Sequence, residues 1–344
     1  MLLLNADQIR EVVNTRQRFE AWRLAKARLA TYRGSMVWSA TRGIDYLLRS
    51  AYGAAGKRVQ RSLGPRSDVT EAQKRQFDDG RNQAQARMEA IQTIMTRQAA
   101  INRAIGLGRV PSLSARIIRA VDNAGLLGNG LRIVGTHALY AYEAMASVIF
   151  DAGITTTEDI DFLQDARASL GFSVTASLRG VSLLGLLKSI DASFERAPQP
   201  YRAINGDGFF VDLITPLPNP PWKPGAAPAD ATDLQAIEIE GLAWLENAPS
   251  FEAIAIDIQG KPCRIIAVDP RVFAAHKSWL SRRPDREPGK RLRDLAQAKA
   301  VAALTIRHFL HLPYDSSDLR MLPLALFEHA RPLFAAVPES DGFL

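Results

Sequence analysis

Cysteine is almost absent from this chain: Cys263 stands alone. A lone thiol excludes an internal disulfide and fits a reducing cytoplasm, the compartment expected here. Long apolar runs are missing too. The opening MLLLNADQIREVV has a brief apolar start with charges directly behind it. That is too short for a signal-peptide core or a membrane span. The five histidines show no metal-ligand spacing with the cysteine, which argues against zinc. No Gly-x-Ser-x-Gly elbow, Walker loop or dinucleotide fingerprint occurs. Internal repeats and long low-complexity tracts are absent as well.

What is present is ordinary in bulk and uneven in detail. With 47% hydrophobic and 23% charged residues in 344, the chain can bury a sizeable core in two or three folding units. The net charge of +7 conceals an asymmetry. Residues 1–120 hold 22 Lys+Arg against 9 Asp+Glu, and 19 of those cations are arginines; the remainder holds 21 against 27. Arginine's planar fork pairs with phosphate, so such an arm suggests a nucleic-acid partner. The competing reading is an arginine-rich surface that is merely solvated.

Composition predicts a helix over 7–32, ended by Gly34, then short runs broken by glycine from Met36 to Gly64 that read as an antiparallel meander. Its strands carry Arg42, Arg49, Lys57, Arg58 and Arg61, the candidate nucleic-acid-binding surface. A second helix follows over Val69 to Ala104, with Ser67-Asp68 or Thr70 as its cap. A third begins at Pro111, with an apolar stripe of Leu113, Ile117, Ile118 and Val121. Further on, 172–176 reads as a short β run and Ser182 to Ser189 as an amphipathic helix. The proline-rich LPNPPWKPGAAPAD marks the clearest boundary. Beyond it, Leu234 to Leu242, Ala253 to Ile258 and Cys263 to Val268 alternate like strands, and helices close the chain. The expected domains are a basic N-terminal region (1–125), a catalytic core (126–220) and a C-terminal β-then-helical domain (221–344).

The most informative stretch is LRIVGTHALYAYEAM followed by TTTEDIDFL. An apolar strand, Leu131 to Val134, ends at Gly135-Thr136 and enters a helix. Asp159 and Asp161 sit two apart in the next strand, so both carboxylates face one way, roughly 7 Å apart along the chain. Paired carboxylates on a largely buried strand repel and resist desolvation unless cations compensate them. Hard oxygen ligands suit Mg²⁺, the usual ion for phosphate chemistry. A third acid, Asp212, lies in the strand GFFVDLIT. Alone it would read as an edge-strand aspartate facing water; a neighbouring strand could bring it onto the same face. Three such acids can hold two Mg²⁺ ions about 3.5–4 Å apart.

These residues resemble the nucleotidyltransferase superfamily of DNA polymerase beta. There, a Gly-Ser or Gly-Gly turn holds the nucleotide phosphates, and a D-x-D pair with a third aspartate binds the metals. GTHALYAYEA, TEDIDFL and FFVDLITP look closer still to a bacterial nucleotidyltransferase-like family related to toxin transferases of the MenT and AbiEii kind. The likeness is firmest over Leu131 to Pro216. The turn departs in carrying Thr136, and the interval from Gly135 to Asp159 is longer than usual. The resemblance implies an α+β fold, a polymerase-beta-like core of a mixed small sheet with flanking helices. It assigns metal binding and catalysis to Asp159, Asp161 and Asp212, and phosphate binding to Gly135 and Thr136. In the toxin-type relatives a helical lysine reaches the triphosphate and a later aspartate orders the site; Lys277 and Asp294 match those positions.

The bland readings stay beside these. Lys277 could be a solvated lysine and Asp294 an i,i+4 partner of Lys290, although Asp294 and Gln297 share a helix face. Arg282, Arg283, Arg286, Lys290 and Arg293 form a second cationic cluster, for phosphates, for RNA, or simply solvated. His137 opens a helix whose amides attract anions without its side chain, and it is carried as a nucleotide-binding candidate. Tyr140, Tyr142 and Phe150 read as core. The expected activity is Mg²⁺-dependent transfer of NMP from an NTP to an acceptor hydroxyl, with RNA or tRNA favoured as acceptor. Transfer to a small molecule or protein is the first alternative. A non-catalytic nucleic-acid- or partner-binding module, such as a toxin component silenced by an antitoxin, is the second.

Overall fold

The computed structural model describes residues 1–52, 58–165, 182–218, 232–315 and 317–335. Lys57, the run at 172–176 and most of the proline-rich connector lie outside the described residues. The chain divides into two compact units: Asp7–Gly108 with Gln259–Pro262, and Met1–Ala6 with Arg109–Ile258 and Cys263–Leu344. After β1 (Leu2–Leu3), which belongs to the larger unit, the smaller unit runs from α1 (Ala6–Ala30) through β2 (Ser35–Thr41), β3 (Ile44–Tyr52) and β4 (Arg58–Pro65) to α2 (Asp68–Ala104).

The three strands form the antiparallel meander that glycine punctuation predicts. Arg42 and Gly43 turn β2 into β3 with φ of 52° and 79°, the sense of turn that matches strand twist. At the start of α2, Ser67 is the N-cap and Thr70 its reciprocal partner in a capping box. Between the two helices lies a buried polar network. Asn102 Nδ2 donates to Thr15 Oγ1 at 3.0 Å and to the Gly260 carbonyl at 2.9 Å. Gln98 Nε2 donates to Glu11 and to Asn102 Oδ1, both at 2.9 Å. Each of these buried donors is satisfied, so the network specifies how the helices align rather than weakening the core.

In the larger unit, α3 (Ser112–Asn123) leads to β5 (Leu131–Val134). Of its predicted stripe, Ile117, Ile118 and Val121 are buried and Leu113 is partly buried against the core. A single 3₁₀ turn, Gly135–Ala138, enters α4 (Leu139–Ala146). Then come β6 (Val148–Ile149), α5 (Ala152–Thr155) and β7 (Asp159–Gln164), so the long interval before Asp159 is filled with structure. The chain continues through α6 (Leu183–Ile190), β8 (Glu195–Arg196), β9 (Arg202–Ile204), β10 (Phe210–Pro216) and β11 (Ile237–Ile239). It ends with α7 (Leu242–Asn247), β12 (Ser250–Ile256), β13 (Pro262–Val268), α8 (Pro270–Leu280), α9 (Pro288–His308) and α10 (Leu324–Ala330).

The fold is mixed α/β. Its six-stranded sheet runs β5-β7-β10-β9-β8, with β11 also paired to β10. β10 is parallel to β7 and β11, while β5–β7, β9–β10 and β8–β9 are antiparallel. Ile133, Ile160, Phe162 and Val211 bury its strands in a core that also takes in Tyr140, Tyr142 and Phe150. One expected strand is shorter than its alternation suggested. Of Leu234 to Leu242 only Ile237–Ile239 is strand; Gly241 takes φ 84° and turns the chain into α7. Because β11 joins the sheet of β10, segments assigned from sequence to 126–220 and to 221–344 share one unit. Among the described residues no helix is long and apolar enough to cross a membrane.

Candidate active site

Strand alternation decides which acids face the site. Along β7, Ile160 and Phe162 point into the core, leaving Asp159 and Asp161 on the opposite, partly exposed face. The parallel register sets Asp212 of β10 directly beside Asp161. On the other side, Val134 pairs with Asp161, so the next residue, Gly135, passes over that carboxylate. Gly135 has φ 63°, and a Cβ there would overlap an Asp161 oxygen. The glycine at this turn is thus demanded twice, by backbone conformation and by the close approach.

Asp161 lines the cleft and keeps some exposure. Even so, burial by the surrounding protein, followed by repulsion from Asp159 and Asp212, pushes its carboxyl up to about 7. Lys277 and Arg286 pull the other way and lose. Asp159 accepts a hydrogen bond from the Thr157 hydroxyl. Asp212 is buried and differently compensated: Arg202 Nε donates to Oδ1 at 2.7 Å and Arg202 Nη2 to Oδ2 at 2.6 Å.

Across a cavity of about 280 Å³, these acids face a basic wall of Lys277, Arg286, Lys290 and Arg293. Asp294 organises it from below. Lys277 Nζ donates to Asp294 Oδ1 at 2.7 Å, and Arg286 Nε donates to Oδ2 at 2.8 Å. Burial pushes Asp294 up, but the two cations outweigh that and hold its carboxyl below the usual range. The i,i+4 partnership with Lys290 does not form; Lys290 lies 3.8 Å from Glu287 instead. One turn along α9, Gln297 Nε2 donates to Thr136 Oγ1 at 3.2 Å and to the Ile154 carbonyl at 2.8 Å. Asp294 and Gln297 therefore present one helix face to the site. One side of the cavity is apolar, with Ile214, Ile237, Leu245 and Phe273, and with His276 beside them. Burial, with Lys277 adjacent, lowers His276 to about 3, so it is neutral at ordinary pH.

Several expected residues sit elsewhere. His137 is buried in an edge contact with Tyr140, and neither ring nitrogen has a hydrogen-bond partner among the described residues. Burial holds it at about 4 despite Asp159 nearby, so the ring is neutral and takes no place in the cleft lining. Arg42, Arg49, Arg58 and Arg61 belong to the smaller unit. Arg49 is occupied: its guanidinium bonds the carbonyls of Arg33, Ser35 and Ser50 and stacks over Phe77. Arg58 bonds Ser50 and, like Arg42 and Arg61, is exposed.

Sequence reading missed Arg202. The signal was the Asn205-Gly206-Asp207-Gly208 stretch, a strong hairpin turn. Folding β9 back on β10 about that turn places Arg202 opposite Asp212. Among the described residues no group of three or more acid, histidine or cysteine side chains is arranged to hold a metal, which fits both Asp212 oxygens being engaged by Arg202.

A family model described as a nucleotidyltransferase matches residues 112–323. The chain belongs to that nucleotidyltransferase family. The matched span contains β5 through α9 and with them every acid and cation named in the cleft. No curated protein and no solved structure matches the chain. Membership supports a transferase activity with an NTP as substrate.

Proposed function

We propose that the cleft binds an NTP and transfers its nucleoside monophosphate to an acceptor hydroxyl, through a polymerase-beta-like core working in the cytoplasm. The observation that carries this is the crowding of Asp159, Asp161 and Asp212 on one face, opposite a wall of cations. Asp161 has no hydrogen-bonded cation among the described residues, and its charge is opposed by two neighbours. That donor set fits a divalent cation such as Mg²⁺ on Asp159 and Asp161, which when bound would neutralise charge on the reacting phosphates.

The chain's own residues supply the remainder. Lys277 and Arg286, held by Asp294, meet the β- and γ-phosphates. The Gly135 turn lets the backbone approach that closely, and the Thr136 hydroxyl keeps its proton to donate while accepting from Gln297. The apolar side near Phe273 and Ile237 takes the base. An acceptor hydroxyl oxygen bonds the α-phosphorus, the bond to the leaving phosphate oxygen breaks, pyrophosphate departs and the hydroxyl proton passes to a carboxylate or to water. RNA is the favoured acceptor, on the exposed Arg42, Arg58 and Arg61 of the smaller unit.

The test uses α-labelled NTPs, Mg²⁺ and either total RNA, protein or small hydroxyl compounds, with Asp159→Ala beside the wild type. Label transfer that depends on Asp159 supports the reading, and the labelled product names the acceptor. Equal transfer by both proteins removes Asp159 from the reaction.

A further inference from the structure

The three acids of the cleft are not equivalent. Asp212 accepts two hydrogen bonds from one guanidinium, the bidentate geometry that suits arginine and carboxylate best. Three restraints fix this pair. Arg202 and Asp212 are direct cross-strand partners, so the backbone itself sets them face to face. The guanidinium lies over the Phe210 ring at 4.6 Å and near the Tyr201 ring at 5.6 Å. Asp212 is buried, which makes an unpaired charge there costly. Among the described residues Asp159 and Asp161 have no such partner: a hydroxyl serves the first, and Lys277 and Arg286 both bond Asp294 rather than the second.

Two-metal phosphoryl-transfer centres need carboxylates free to bridge both ions. Here the third carboxylate already has its cation, and it is part of the protein. Resting on the proposed nucleotidyl transfer, we infer that Arg202 is the permanent counter-cation of Asp212. The centre then carries one divalent ion, on Asp159 and Asp161, where two would be expected. Arg202 lines the cleft, and its two hydrogen bonds to Asp212 use Nε and Nη2. On this inference the remaining N–H groups of Arg202 meet a phosphate oxygen of the substrate, the task the second ion performs in a two-metal centre. Arginine is suited to it because its fork can hold a carboxylate and a phosphate on different edges.

The experiment counts ions directly. The full chain is titrated with Mn²⁺ in the presence of an NTP analogue whose α,β bridge cannot be cleaved, and free Mn²⁺ is followed by electron paramagnetic resonance. With the analogue at one equivalent per chain, the wild type is expected to hold one ion per chain in all, the ion carried by the nucleotide included, and Asp161→Asn to hold that ion more weakly. Arg202→Gln, which leaves Asp212 uncompensated, is expected to gain a second. Two ions on the wild type overturn the inference while leaving the nucleotidyl-transfer reading intact. No ion on the wild type overturns both. Should Arg202→Gln fail to fold by circular dichroism, the wild-type count still decides, and Arg202→Lys provides the second variant, with an intermediate second-ion affinity expected.

Discussion

The backbone of Gly135 and the carboxylate of Asp161 share a space that no side chain at residue 135 could enter. That contact couples the turn after β5 to the strand that carries the acids. Each is positioned by the other through the β5–β7 pairing.

Gly135→Ala should therefore damage stability and activity together. The methyl group meets Asp161, and a φ of 63° is itself unfavourable for alanine by about 1–2 kcal/mol. A lowered melting temperature accompanied by loss of nucleotide transfer is expected; thermal unfolding and the label assay measure both. An alanine variant that melts and transfers like the wild type would show that the close approach is not needed.

Asp161 should make the metal-free protein less stable as pH rises. Its folded carboxyl titrates at about 7 against an ordinary value of 3.8. Between those values the folded state holds a proton that the unfolded chain has released, so stability falls from about pH 4 to pH 7 and is flat above. The effect is of order a few kcal/mol at most, given the residual exposure of this group. Denaturant unfolding at pH 5 and pH 8 in EDTA measures it. Asp161→Asn should flatten this contribution, and unchanged slopes would refute the assignment.

Removing Asp294 should hurt more than removing either cation it holds. Asp294→Ala leaves the buried Lys277 without its carboxylate and frees Arg286, with a loss of about 3–5 kcal/mol. NTP affinity should fall as well, because both cations lose their anchor. Asp294→Asn keeps the shape and one acceptor and should be milder. Isothermal titration with NTP separates the binding loss from the folding loss.

The arginines of the meander should divide into two classes. Arg49→Ala removes bonds to three carbonyls and the stack on Phe77, for about 1–3 kcal/mol of stability. Arg42→Ala and Arg61→Ala should leave stability within about 0.5 kcal/mol. If RNA is the acceptor, those two should instead weaken RNA binding and flatten its salt dependence. Binding titrations at several salt concentrations check this.

The sequence by itself determined what local physics controls. Alternation in DIDFLQ put Asp159 and Asp161 on one face, glycine marked the turn at 135, and Ser67, Asp68 and Thr70 marked the start of α2. Each of those rests on neighbours a few residues apart, where strand period, backbone freedom and capping act directly. Only the tertiary structure decided which distant groups meet. It set Asp212 beside Asp161, gave Lys277 and Arg286 to one buried aspartate, sealed His137 away from the cleft and closed Arg202 onto Asp212. Those outcomes depend on register between strands and on burial, and a linear string of residues carries neither until the sheet has formed.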